Sequence, residues 1–270
     1  VPYVVWTLES PANDWFRTQP DFVNWTMTYR RDADIWYPYG HVVKRKIKAR
    51  VDYEEIWRMK NESLPPATWL ASNCRTVNAR VDVVGKLQEH GLKINRWGQC
   101  GDPHPTCNGV DKQEADCVVQ MIRPYKFYVS FENSDCRDYA TEKLYETMRS
   151  RMAVPLVLRR DIYEELGVPS SSFIALSDFK SIKDMADFVN DVAANKTRYF
   201  EYHQWREDYE VIPEHDDSTG FCTLCRRLAA RQHMSEEDRL ASRKSYLDAD
   251  HWHTHSMCNN TFALPYLGIF

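Results

Sequence analysis

Residues 125–143 read YKFYVSFENSDCRDYATEK. An aromatic and β-branched run at 127–131 has the composition of a strand. Glu132, Asn133, Ser134 and Asp138 follow in a polar loop, and Thr141 opens a helical stretch. Strand, polar loop and helix is the order in which α/β folds present ligands at the carboxyl ends of parallel strands. Lys143 falls in the first helical turn, where free N–H groups and the helix dipole favour an anion. A cation there suits a phosphate. Arg80 opens another helical stretch after Ser72-Asn73 and could grip a phosphate bidentately, where a lysine acts as a point charge. Glu9 ends a strand-like run before Pro11. A carboxylate in such a turn can act as a general base toward a hydroxyl, here in a surround expected to be mostly apolar, with Trp6 and Leu8. Taken alone, Glu9 reads more simply as a surface-turn carboxylate, and Arg80 and Lys143 as helix-surface cations.

The elements that must position these residues alternate. After a Pro-containing segment at 61–68 (NESLPPAT), strands are expected at 69–72, 92–97, 127–131, 153–158 and 172–176. Helices are expected at 76–90, 112–123, from Thr141, and at 181–194. The first of these would turn Val77, Val81, Val84 and Leu87 inward. The last would bury Ile182, Met185, Phe188, Val189 and Val192. Alternation of this kind implies a parallel sheet covered on both faces, so residues 63–215 read as one Rossmann-like domain. Residues 1–62 read as part of another domain that begins on an abrupt, buried strand. Residues 216–270 form a tail with a CxxC.

With 270 residues, 43% of them hydrophobic, the chain can bury a sizeable core. Its formal net charge of −4 argues against nucleic acid as a general partner. No apolar run is long enough to span a membrane. Eight cysteines, with sequons at Asn24, Asn61, Asn195 and Asn259, point to an oxidising, secretory compartment. Cys74 and Cys100 each follow an expected parallel strand, so the two are expected to approach each other. The basic run at 44–50 (KRKIKAR) reads as a solvated surface segment. Asp32-Ala33-Asp34 and Asp248-Ala249-Asp250 are DxD pairs, read as salt-bridging or capping residues, not metal ligands. Cys222 and Cys225 with His251, His253, His255 and Cys258 could make a zinc site, but the gap between the two groups is long. No glycine-rich phosphate loop occurs.

Four stretches carry a resemblance: Leu8-Glu9-Ser10-Pro11; residues 24–40 (NWTMTYRRDADIWYPYG); Ser72-Asn73 with Ala79-Arg80; and residues 125–143. In this order they resemble the motifs of the alpha-1,3-fucosyltransferases, inverting enzymes that use GDP-fucose. The resemblance runs over residues 1–205 and implies an α/β, GT-B-like fold of two Rossmann-like domains, the first incomplete. It implies that Glu9 is the base and that Arg80 and Lys143 bind the pyrophosphate. Asn133, Tyr139 and Glu142 match positions contacting the donor, and Ser72 and Asn73 approach its guanine or ribose; hydrogen bonding within loops is the alternative for these. It further implies fucose transfer to the 3-hydroxyl of GlcNAc in a glycoprotein N-glycan, with a weak preference for the glycan core. No metal is required, although Mn or Mg is expected to stimulate. The C-terminal CxxC would form disulfides toward the amino-terminal region. The setting would be the Golgi lumen, in a type II membrane protein anchored upstream of residue 1. A non-catalytic sugar-nucleotide or glycan binder, or an inactive fragment, is the alternative.

Overall fold

The computed structural model describes residues 1–14, 17–103, 107, 113, 115–213, 220–241, 246, 248–255 and 257–269. Three short strands, β1 (Val4–Trp6), β2 (Trp25–Thr28) and β3 (Ile35–Trp36), pair in parallel in that order. β4 (Gly40–Lys44) and α1 (Tyr53–Arg58) follow. Then come β5 (Ala67–Leu70), α2 (Arg80–Glu89), β6 (Ile94–Trp97), α3 (Asp116–Ile122), β7 (Phe127–Val129) and α4 (Glu142–Arg149). β8 (Val154–Val157), α5 (Arg160–Glu165), β9 (Ile174–Ala175), α6 (Ile182–Ala194) and α7 (Lys196–Glu201) complete the alternation. β10 (Tyr209–Pro213) returns to pair antiparallel with β4. The tail holds α8 (Phe221–Gln232), α9 (Glu236–Ala241) and α10 (Ala249–Thr254).

The central sheet is parallel, in the order β6-β5-β7-β8-β9. Strands buried on both faces should read as continuous apolar runs, and β7 and β8 are buried at every position. Trp69, Phe127, Val129 and Leu156 meet α2 and α6 through Val83, Val84, Leu87, Met185 and Val189. Leu144, Tyr145 and Met148 of α4 pack with Val157, Phe173 and Val211 in a second cluster. The strand order reverses between β5 and β7, and ligands of open α/β sheets bind in the crevice beyond the strand ends at such a reversal. The loops that leave β5 and β7 there carry residues 71–79 and 130–141.

Several expectations are corrected. β1 is half-exposed, with Trp6 56% accessible, and is not a buried strand. The helix expected at 76–90 starts at Arg80, because Ala79 adopts φ +54°, a left-handed conformation that cannot continue a helix. Its inner face is therefore Val83, Val84 and Leu87, and Val77 is left exposed. The helix expected at 112–123 is Asp116–Ile122, and residues 111, 112 and 114 lie outside those described. Packing changes hands earlier than the Pro-containing segment: Ile56 and Trp57 belong to the core of the central sheet, and β4 pairs with β10. The tail is no separate unit. Leu224 of α8 packs on Met27, Ile35 and Tyr37, while Phe262, Tyr266 and Leu267 pack on the central core.

Candidate active site

β7 ends at Val129, and the loop beyond it is held from inside. Glu132 is 3% exposed; its Oε1 accepts from the Thr141 N–H at 2.7 Å and its Oε2 from Thr141 Oγ1 at 2.8 Å. Thr141 in turn caps α4. A buried carboxylate of the protein itself thus stands at the start of α4, beside Lys143. Lys143 Nζ donates to Thr141 Oγ1 at 2.9 Å and Glu142 Oε1 at 3.0 Å, and lies 3.4 Å from Glu132 Oε2. Burial pulls the Lys143 ammonium down, but Glu142 and Glu132 outweigh it and hold it well above the usual lysine range. Burial would raise Glu142, yet Lys143 keeps it below the usual carboxylate range. Burial pushes Glu132 up despite Lys143.

Arg80, first residue of α2, is 2% exposed. Its Nη1 donates to the Phe131 carbonyl at 2.7 Å and its Nη2 to the Asn73 carbonyl at 2.9 Å. It therefore ties the loop after β5 to the loop after β7, a role the sequence did not disclose. Arg80 Nε and Asn133 Oδ1 are buried without a hydrogen-bond partner among the described residues. Buried polar atoms seldom stay unpaired, so each is open to a ligand or water. Ser72 and Asn73 are exposed at the rim.

Glu9 reaches the same loop from the other side. Tyr139 Oη donates to Glu9 Oε2 at 3.2 Å, and Asn133 Nδ2 at 3.4 Å. Glu9 is exposed and its partners are polar, so the apolar surround expected from Trp6 and Leu8 is not what it has. Tyr139 is buried against Tyr29 and Tyr39; burial raises its phenol far above the usual range and keeps it a donor. Ser10 Oγ to Ser134 Oγ at 2.8 Å locks the Glu9 turn onto the loop, and Arg31, just after β2, holds Asp138 of the same loop at 3.0 Å. Tyr39 Oη donates to the Leu8 carbonyl at 2.8 Å. Glu9, Asn133 and Tyr139 thus meet at one seam; Glu142 and Lys143 gather on Glu132 and Thr141 at the end of the same loop, and Arg80 ties that loop to the one carrying Ser72 and Asn73.

The tail closes the seam. A disulfide joins Cys136 to Cys258, the Asn259 N–H donates to the Asp135 carbonyl at 2.8 Å, and Asn260 Oδ1 accepts from the Asp135 N–H at 2.8 Å. The Asp135 carboxyl, bonded to Asn78, is pushed up to about 7 by burial. Cys74 and Cys100 form a disulfide, as their strand positions suggested, and Cys107 pairs with Cys117. Cys222 and Cys225 are free and exposed on α8. Cys258 is taken up by its disulfide, and among the described residues no group of three His, Cys, Asp or Glu is set to hold a metal ion. Asp32 bonds Arg30 and Arg137, Asp34 accepts from Thr26 and Tyr246, and Asp248 caps α10. Asn61, Asn195 and Asn259 are exposed, whereas Asn24 is buried, with Oδ1 accepting from the Tyr3 N–H.

Residues 57–256 match the family described as Glycosyltransferase family 10 (fucosyltransferase) C-term, and residues 1–40 match Fucosyltransferase, N-terminal. The chain belongs to the glycosyltransferase family 10 fucosyltransferases. It is 46% identical over 99% of its length to the alpha-(1,3)-fucosyltransferase fut-6 of Caenorhabditis elegans, and 35% identical over 99% to fut-5 of that organism. It spans 66% and 68% of those two relatives. It is 30% identical over 92% of its length to the glycoprotein 3-alpha-L-fucosyltransferase A of Drosophila melanogaster, spanning 46% of that protein. A crystal structure of an alpha1,3-fucosyltransferase superposes with a TM-score of 0.50 at 14% identity, covering 76% of this chain and 64% of that one. The fold of this fucosyltransferase-family chain is accordingly α/β and GT-B-like.

Sequence reasoning named Glu9, Arg80, Asn133, Tyr139, Glu142 and Lys143 and missed the buried braces Glu132, Asn78 and Asp135. Glu132 stood in view in the polar loop, but no periodicity marks a carboxylate that folds back onto the next helix.

Proposed function

We propose that the chain carries the catalytic region of an alpha-1,3-fucosyltransferase that moves L-fucose from GDP-fucose to the 3-hydroxyl of GlcNAc in a glycoprotein N-glycan, with inversion. The observation carrying this reading is the Glu9 carboxylate resting on Tyr139 and Asn133 of the loop that leads to Lys143. Both bonds fall on Oε2, and Oε1 has no hydrogen bond among the described residues. Oε1 takes the acceptor hydroxyl's proton. The hydroxyl oxygen attacks the anomeric carbon, the bond from that carbon to the phosphate oxygen breaks, and GDP leaves with the electron pair. Charge growing on the diphosphate is met by Lys143, which turns from Glu142 toward it, and by Arg80. Side chains do this work in our reading; Mn or Mg stimulates at most.

The reading extends to a Golgi-lumenal enzyme anchored upstream. It is supported by the three disulfides and the exposed sequons at Asn61, Asn195 and Asn259. No helix among the described residues is long and apolar enough to cross a membrane.

The test is GDP-fucose turnover with a GlcNAc-terminated acceptor and a linkage analysis of the product. An alpha-1,3 product supports the reading. Binding without turnover supports a non-catalytic binder, and neither activity supports an inactive fragment.

A further inference from the structure

Just past Glu9, the turn of Pro11, Ala12, Asp14 and Arg17 walls a cavity of about 630 Å³. Its other walls are Val77, from the loop between β5 and α2, and Asp250 and Thr254 of α10. We propose that this cavity is a subsite for the neutral sugar residues of an acceptor glycan that lie beyond the sugar that reacts. The proposal rests on the fucosyl-transfer reading for its placement.

Three observations carry it. The first is reach. Pro11 follows Glu9 by two residues, so their Cα atoms are at most about 7.6 Å apart, a span that linked sugar rings bridge. The volume falls within the range of about 300–1,000 Å³ usual for ligand pockets. The second is chemistry. Asp14 and Asp250 accept hydrogen bonds, Arg17 donates, and Thr254 can do both, a set that matches sugar hydroxyls. Pro11, Ala12 and Val77 offer small apolar surfaces to the C–H faces of the rings, and Val77 is 58% exposed for a residue that would ordinarily be covered. Two carboxylates against one guanidinium repel a diphosphate, so the donor nucleotide is a poor occupant.

The third is construction. The wall made by α10 is fixed by specific contacts. Asp248 caps it through the His251 N–H at 2.7 Å, Arg30 donates to the Trp252 carbonyl, and the Arg30 guanidinium lies 4.0 Å over the Trp252 ring. The opposite wall is pinned by Asn13 Nδ2 donating to Ser10 Oγ at 3.0 Å. The loop bearing Val77 is held by Asn78 Nδ2 donating to the Glu132 carbonyl at 3.0 Å. The cavity therefore joins the Glu9 turn, the loop after β5 and the tail, and the tail acquires a role in acceptor selection that the transfer chemistry itself does not need.

The experiment uses the full chain with two acceptors that share the reacting GlcNAc: a chitobiose disaccharide and a mannose-bearing N-glycan core. Val77→Trp fills the cavity and Asp250→Asn removes a charged acceptor. Each variant is expected to raise the KM for the mannose-bearing acceptor about tenfold, and to leave the KM for GDP-fucose and turnover of the disaccharide unchanged. Equal effects on both acceptors, or none, would overturn the subsite. A second readout needs no turnover. In saturation-transfer NMR, a mannose oligosaccharide without the reacting GlcNAc should receive signal from the wild-type chain and lose it with either variant. Signal absent from the wild type refutes the subsite. Signal present and variant-sensitive in a chain that transfers no fucose refutes the transfer reading and leaves the subsite standing.

Discussion

Around the central sheet, Trp69, Phe127, Val129 and Leu156 are enclosed by helices, and the cluster draws on residues from 56 to 263. Around β1–β3 the buried set is Met27, Ile35 and Tyr37, finished by Leu224 from α8, while Phe221 of that helix packs on Trp6 and Tyr37. Even the start of α8 is shaped to fit: Gly220 has φ +55°, and a Cβ there would lie 2.4 Å from the Tyr37 ring. The central sheet is enclosed mainly by its own helices, with a smaller share from residues 262–267, whereas the other sheet depends on α8 of the tail to finish its small core. The same contrast separates the two acids of the seam. Glu132 is fixed by its own loop and deeply buried, while exposed Glu9 is aimed by side chains from the other half of the molecule. The lesson is that the chemistry proposed at Glu9 depends on how well two unequal halves are held together.

Removing each side of that contrast should separate chemistry from scaffolding. Glu9→Gln should keep GDP affinity and the melting temperature while transfer falls about a hundred- to ten-thousand-fold; single-turnover assays with isothermal calorimetry check both, and unchanged turnover excludes Glu9 as the base. Glu132→Ala strips Thr141 and Lys143 of a buried partner, so denaturant unfolding should show a loss of about 3–5 kcal/mol, with weaker GDP binding. Glu132→Gln should restore part of the stability. Cys136→Ser with Cys258→Ser should cost about 2–4 kcal/mol and raise proteolysis of the tail before that of the central sheet.

Smaller effects sharpen the picture. Asp135 has a folded pKa of about 7, against about 3.9 in an unfolded chain. Between those values the unfolded chain has released a proton that the folded chain keeps, so this group's contribution to stability falls as pH rises from 4 to 7. Asp135→Asn lacks that slope. Its stability relative to wild type should therefore improve by about 2 kcal/mol over the window, read from melting curves at both ends. Tyr139→Phe should lower transfer about fivefold through loss of roughly 1 kcal/mol in orienting Glu9. An unchanged rate would mean that Asn133 alone suffices.

Much of the central sheet was legible because its signals are local. Ser181 caps α6, whose inward Ile182, Met185, Val189 and Val192 recur at helical spacing, and β7 and β8 read as plain apolar runs. Thr141 likewise announced α4. What was not legible depends on distant partners or on backbone conformation. The left-handed Ala79 moved a helix start by four residues from the expected position 76. The pairing of β10 with β4 links residues 209–213 to 40–44, a match no window along the chain contains. Arg80 stood out as a cation, but nothing along the chain told that two backbone carbonyls would hold its Nη1 and Nη2 and leave Nε open. Glu9 was singled out for its turn, yet nothing in the sequence near it names Tyr139 or Asn133 as its neighbours.

The Cys136–Cys258 link spans 122 residues. At a synthesis rate of about 5–20 residues per second, Cys136 emerges some 6–24 s before its partner. During that interval its thiol lacks its native partner. The other two pairs span only 26 and 10 residues, so both can oxidise early and withdraw four competing thiols from exchange. The order of ribosomal emergence thus leaves Cys222 and Cys225 as the thiols that compete for Cys136 before Cys258 appears, and the loop after β7 is tied down only when the tail has arrived.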